Sequence, residues 1–303
     1  QYFFRPGLTW SRRTQGGLSF RALPRDCIFG DKGPAIFVTD DESASLLFLL
    51  ALINSKAFGQ LVALQVAFGS YEAGVIQNTP IPKVPHADAK ALAELSRRAW
   101  FLKRKLDSIE ETSHAYLLPA ALRSRVDLCD APAIELELSR IQDEIDTIAF
   151  DLYGFSEDDR AAVQVSRGVV EEDVQESGAE DQADDDEQVA PIAQADGLMS
   201  WAVGVVFGRF DWRLATGERA TPPEPEPFDP LPANSPGMLQ VGAAPFHVHS
   251  GILVDDSGSI HDLARLAEEV LVRVGATVPS DLRRWMQRDF FPFHLQRSSK
   301  SRR

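Results

Sequence analysis

Phe4-Arg5-Pro6-Gly7-Leu8-Thr9-Trp10-Ser11-Arg12-Arg13, continued by Gly17-Leu18-Ser19-Phe20-Arg21, decides the fold class. Short apolar runs divided by Gly, Pro and Asp mark strands joined by tight turns. On that pattern Leu8-Thr9-Trp10, Leu18 to Leu23, Cys27-Ile28-Phe29 and Ala35 to Val38 are expected strands, with Trp10 and Phe20 in the core. Downstream the period changes. Asp40-Asp41-Glu42-Ser43 supplies capping groups for a helix through Ile53, and a second helix is expected from Ser55 to Ala67, stopped by Gly69. Val75-Ile76-Gln77 reads as one more strand before Pro80-Ile81-Pro82. Residues 1–85 thus form a β-rich region carrying a helical hairpin.

Two long amphipathic helices follow. Leu92, Leu95, Ala99, Leu102 and Leu106 make the stripe of one, from Ala87 to Thr112, and Ile134 to Tyr153 is the other. Such stripes predict an antiparallel pair docked on the β-rich part, with Ser156 starting a short capped helix. Ten acids and no base lie between Glu171 and Glu187. With few large apolar residues, 166–196 is expected to be a disordered acidic linker. From 197 the chain turns mainly helical: Leu198 to Phe210, Ile260 to Val274 and a shorter helix from Ser280, with a proline-rich loop over Pro222 to Pro236 and a strand near Phe246 to Leu253. The fold class is α+β, in four regions: 1–85, 86–165, 166–196 and 197–303.

The formal charge of -14 argues at first against a nucleic-acid partner. Its distribution reverses the argument. Residues 1–35 carry six bases against two acids, and the stretch from Asp281 carries seven against two. Cys27 and Cys129 are isolated, read as small buried hydrophobes, and suit a reducing cytoplasm. No apolar run approaches the roughly 20 residues of a membrane span.

Specific DNA binding needs cations for phosphates and donors that reach base edges. Thr9, Ser11, Arg12, Arg13, Gln15, Arg21 and Lys32 offer both from hairpin loops, although on composition alone a solvated turn serves equally well. Lys300, Arg302 and Arg303 form a cationic tail that fits a phosphate contact or a frayed terminus. His247 and His249 are two apart without a third ligand at zinc spacing, so no metal is expected. His294, among phenylalanines, reads as packed and hydrogen-bonded.

The order of Phe3 to Trp10, Asn54-Ser55 and Pro80-Ile81-Pro82 resembles the target-recognition region of large adenine-specific DNA methyltransferases. These are the type IIG restriction-modification enzymes and the methyltransferase of BREX phage-exclusion systems. Trp201 to Asp211 resembles the family's Gly-x-x-x-Gly-Arg helix, and Phe290 to Leu295 with Ser298 to Arg303 its Phe-x-x-His…Ser-Lys-Ser-Arg-Arg segment. The resemblance implies double-stranded DNA as partner, with S-adenosylmethionine held by a catalytic domain on the same polypeptide or a partner chain. Family catalysis uses a glycine-rich loop and an Asn-Pro-Pro-aromatic segment. Asn78-Thr79-Pro80 only mimics the latter, and no nuclease signature is found. The chain is expected to be a recognition and C-terminal part cut from its catalytic domain, binding no cofactor itself. The competing expectation is a scaffold that binds partner subunits through its amphipathic helices.

Overall fold

The computed structural model describes residues 2–14, 17–66, 70–127, 130–163, 194–248 and 252–298. The acidic segment therefore lies almost wholly outside the described residues. Those described are α+β and mainly helical, with one small antiparallel sheet. They fall into two compact units. The first comprises Gln1–Leu102, Pro132–Glu187 and Pro225–Leu231, and the second Lys103–Ala131, Gln188–Glu224 and Pro232–Arg303.

In the first unit, β1 (Gly7–Trp10) lies between β2 (Phe20–Leu23) and β3 (Ala35–Ile36), in the order β2-β1-β3. Alternation sends Leu8, Trp10 and Phe20 into one core, and the Trp10 indole N–H donates to the Tyr71 carbonyl at 2.8 Å. Gly7 is required because a Cβ there would stand 2.6 Å from the Ile36 carbonyl oxygen. Helices α1 (Ser43–Ile53), α2 (Lys56–Ala63) and α3 (Ala73–Asn78) follow.

Two expected strands are absent. Cys27 to Phe29 is irregular, with Cys27 half-buried and its carbonyl accepting from the Phe4 N–H. Val75 to Gln77 lies inside α3, where the Thr79 hydroxyl donates back to the Val75 carbonyl at 2.9 Å. Three apolar residues are too few to separate the two periods.

The long helices are α4 (His86–Asp107) and α6 (Ala131–Tyr153). α4 ends short of Thr112, where the Ser108 hydroxyl turns back onto the Lys105 carbonyl. Leu92 and Leu95 pack with Ile141, Ile145, Ala149 and Phe150 around Ala51, Leu52 and Ala57. Most of both stripes is thus spent inside the unit, while Leu136 of α6 stays exposed. A further helix, α7, spans 157–163, capped by Ser156 through Asp159 as expected.

The first unit is closed by a segment distant in sequence. Phe228, 2% exposed, packs in the cluster of Leu8, Trp10, Phe20 and Phe58, and its carbonyl accepts from the Arg25 N–H at 3.1 Å. Glu226 beside it pairs with Arg97.

The second unit contains α5 (Ala120–Arg123), α8 (Gln194–Val206), α9 (Arg213–Thr216), α10 (Leu263–Arg273), α11 (Leu282–Arg288) and α12 (Phe290–Ser298). Its core gathers Trp201, Val205, Leu266, Val270, Leu271 and Trp285. Gly204 admits the ring of Phe210, which would lie 2.4 Å from a Cβ. Gly208 adopts φ 71° and ends α8, with the Arg209 N–H reaching the Gly204 carbonyl at 2.8 Å. Asp211, 1% exposed, then receives Arg213 and Arg219, each at 3.1 Å. No strand forms over the described part of Phe246 to Leu253; Val254 makes only an isolated bridge to Asp262.

His294 on α12 is packed and hydrogen-bonded, as expected. Its Nδ1 meets the Phe290 carbonyl at 2.8 Å, and Nε2 lies 3.1 Å from the Ser200 hydroxyl and 3.9 Å from Glu111. Ser200 donates to Glu111 at 2.6 Å, and Arg209 donates to the same carboxylate at 2.7 Å. Glu111 chiefly raises the His294 pKa. The serine is buried and Nδ1 is spent on a backbone carbonyl, so the group is a structural network and not an activated nucleophile.

Two outcomes follow from these contacts. Phe228→Ala should lower unfolding free energy by about 3–5 kcal/mol in urea titration, as for other buried phenylalanines. His294 gains affinity for its proton on folding, so its stabilisation is full below its unfolded pKa of about 6.5 and fades as pH rises through the folded value. The stability difference between wild type and His294→Gln should therefore be constant below about pH 6.5 and shrink as pH rises through the folded value. A constant difference would remove the Glu111 pairing as its source.

Candidate nucleic-acid interface

Antiparallel pairing puts facing residues on one side of a sheet. Leu8 with Ala22 and Ile36, and Trp10 with Phe20, take the core side. Thr9 is thereby set beside Arg21 and Ala35 on the opposite side. Two residues expected to contact DNA thus become direct cross-strand neighbours. Arg21 is exposed, while Thr9 is half-buried and its hydroxyl donates to the Pro34 carbonyl at 2.9 Å.

Ser11, Arg12 and Arg13 leave β1 as a pinned turn. The Arg12 N–H donates to the Lys32 carbonyl at 3.0 Å, the Tyr71 N–H to the Arg12 carbonyl at 2.7 Å, and Arg13 bridges Ser70. These ties bring Arg13 and Lys32, both exposed, near one another, with half-buried Ser11 beside them.

The Arg12 side chain is already engaged. It donates to both carboxylate oxygens of Asp31, at 2.9 and 3.0 Å, with Glu72 at 3.6 Å. It can meet a phosphate only by exchanging one anion for another. Exposed cations on this part of the unit are Arg13, Arg21 and Lys32, joined by Arg25 after β2, whose only sequence signal was its charge. Gln15, Lys300, Arg302 and Arg303 lie outside the described residues.

Arg5 serves the scaffold. It donates to Asp41 at 2.6–3.1 Å and to the Val38 carbonyl at 2.7 Å, beneath the rings of Tyr2 and Phe37. Phe4, Asp26 and Asp41 all take positive φ near this clamp.

Asn54-Ser55 also turns out to be architectural. Asn54 accepts from the Phe20 N–H at 2.9 Å and donates to the Phe20 carbonyl at 3.0 Å, standing in for a fourth strand at the β2 edge. Ser55 caps α2 by accepting from the Phe58 N–H. Asp146 of α6, 3% exposed, accepts from the Lys56 N–H at 2.7 Å and pairs with the Lys56 ammonium at 3.0 Å. No group of metal-binding side chains occurs among the described residues. No single helix there is long and apolar enough to cross a membrane; α1 and α2 together pass that test but bend by 63° at Asn54.

No protein-family model matches the chain. Over 100 residues, 32% of this chain, it is 28% identical to the adenine-specific methyltransferase BrxX of Escherichia coli O9:H4 (strain HS). Over 228 residues, 69% of this chain, it is 24% identical to the adenine-specific methyltransferase PglX of Lacticaseibacillus casei (strain Zhang). The matches span 8% and 17% of those relatives' lengths. The chain is related to adenine-specific methyltransferases and corresponds to a small share of each.

Replacing Asn54 by Ala strips both backbone groups of Phe20 of their partner. At about 1–3 kcal/mol for each buried group left unpaired, Asn54→Ala should lose roughly 2–6 kcal/mol in chemical denaturation. A loss below about 0.5 kcal/mol would mean that β2 holds its edge without the clamp.

Proposed function

We propose that this chain is the DNA-reading part of an adenine-N6 methyltransferase of a restriction-modification or BREX-type phage-defence system. Methyl transfer from S-adenosylmethionine belongs to a region outside these 303 residues. The observation that carries the reading is the sheet side bearing Thr9 beside Arg21, with Arg13 and Lys32 exposed on the adjoining turns, in a chain related to two adenine-specific methyltransferases. Arginine can read guanine bidentately, and the other cations meet phosphates and set the register. The target adenine would be flipped into the catalytic domain, which the relatives' far greater lengths can accommodate.

The scaffold reading loses part of its support, because Leu92, Leu95, Ile141, Ile145 and Ala149 of α4 and α6 face their own core, while Leu136 of α6 is exposed. What still favours a protein partner is the exposure of Tyr2, Phe3, Phe4 and Ile28.

Selection from a randomised duplex pool on the purified chain at near-physiological salt is the deciding experiment. A short motif should be enriched, and its affinity should fall with salt at a logarithmic slope that shrinks by about 0.9 for each phosphate contact removed. Lys32→Ala should weaken all duplexes alike. Arg21→Ala should cost about 1–3 kcal/mol and relax one position of the motif. Binding indifferent to both salt and these substitutions would leave the protein-partner reading in its place.

A further inference from the structure

Phe4 is held against its own backbone preference. It takes φ 69°, a left-handed conformation that is an outlier for a bulky side chain. Two hydrogen bonds keep it there. The Phe4 N–H donates to the Cys27 carbonyl at 3.1 Å, and the Asp26 N–H, on a residue at φ 63°, donates to the Phe4 carbonyl at 3.2 Å. The core gains little in return, because Phe4 is 56% exposed. Strain of this kind collects where ligands are held.

A row of rings continues from Phe4. Phe3 stands 6.4 Å from Phe4 and 5.1 Å from Phe29, centroid to centroid. Phe29 lies 5.4 Å from Phe37, and Phe37 lies 5.5 Å from Tyr2. The Arg5 guanidinium, fixed by Asp41, rests against the Tyr2 and Phe37 rings and steadies that end. Tyr2, Phe3 and Phe4 are each about half exposed. Single apolar residues on a surface need no explanation, but a contiguous aromatic row does.

The charge around the row selects its occupant. Arg25 directly precedes the Asp26 that pins Phe4, and Lys32 lies three residues beyond Phe29. Both are exposed, and neither makes an ion pair among the described residues. With Asp31 taken by Arg12, Asp26 is the acid left on this stretch against Arg13, Arg25 and Lys32. An apolar protein face laid on the row would strip water from these cations without replacing it. A nucleic-acid strand offers phosphates to the cations and flat π-faces to the rings. In an intact duplex those faces are covered by stacking, so the rings fit bases that have left the stack.

We propose that Tyr2, Phe3 and Phe4 form a stacking ledge for unpaired bases, so that the chain grips DNA most tightly where base pairs are opened. The inference rests on the DNA reading above and adds the state of DNA that the chain prefers. Arg25 and Lys32 hold phosphates of the strand whose bases lie on the rings. When a target base is flipped, the ledge covers a face that has lost its neighbour and offsets part of the unstacking cost.

Fluorescence anisotropy of the full chain at low salt, where sequence-independent phosphate contacts suffice, tests this. The probes are an intact duplex, the same duplex with a short central run of thymine–thymine mismatches, and its single strand. The mismatched duplex should bind more tightly than the intact one by about fivefold or more, the low end for one base stacked on one ring. Phe4→Gly suits the positive φ and removes the ring, so it should erase most of that preference while melting close to wild type. Phe4→Trp should keep the preference. Should Phe4→Gly melt early, Phe3→Ala gives the same reading at another exposed ring. Lys32→Ala should weaken every probe alike. Equal affinity for mismatched and intact duplexes, or a preference that survives loss of both rings, overturns the ledge and leaves the DNA reading standing. Binding to none of the probes removes both readings and leaves the row to a protein partner.

Discussion

Everything in the first unit hangs on one side chain that behaves as backbone. Asn54 sits at the break between α1 and α2 and offers Phe20 both the acceptor and the donor that a neighbouring strand would supply. A bare sheet edge is a template for unwanted pairing, and here it is met by an amide that cannot propagate the sheet. The same two-residue break provides the Ser55 cap and exposes the Lys56 N–H to Asp146. Sheet, helical hairpin and α6 are thereby locked to one point. The position of Arg21, one residue along β2 from the clamped Phe20, inherits that rigidity.

Buried carboxylates organise much of the remainder and decide which cations reach solvent. Asp146 holds Lys56, Asp211 holds Arg213 and Arg219, and Asp262 holds Arg283. Such pairs are costly to break because they leave a charge uncompensated in a poor dielectric. They also remove positive charge from any surface. Two of the seven bases counted toward the chain's end, Arg283 and Arg297, are occupied by carboxylates of the fold. Charge counted along a sequence overstates what a phosphate would meet.

The elements legible in the sequence were those whose signal is local and repeated. The alternation through Leu8 and Trp10, the stripes of α4 and α6, and the Ser156 cap each need only a short window. Val75 to Gln77 failed because three residues carry no period. The roles of Asn54 and Phe228 were hidden because their partners lie far along the chain and are joined by geometry that no pattern encodes. At the candidate interface, the residue types and their clustering were visible. That Thr9 and Arg21 stand side by side depends on register, and that Asp31 captures Arg12 depends on how a turn folds back over the strand end.

The anchoring of Phe228 has a consequence in the order of synthesis. The β-rich unit draws its last core residue from beyond Tyr153 by some seventy-five positions, which ribosomes cover in on the order of 4–15 s. Through that interval the slot between Trp10, Phe20 and Phe58 stands open on a nascent chain whose other pieces are already made. An unfinished or prematurely terminated polypeptide therefore carries an exposed aromatic pocket, a mark by which chaperones and proteases distinguish it from the completed molecule.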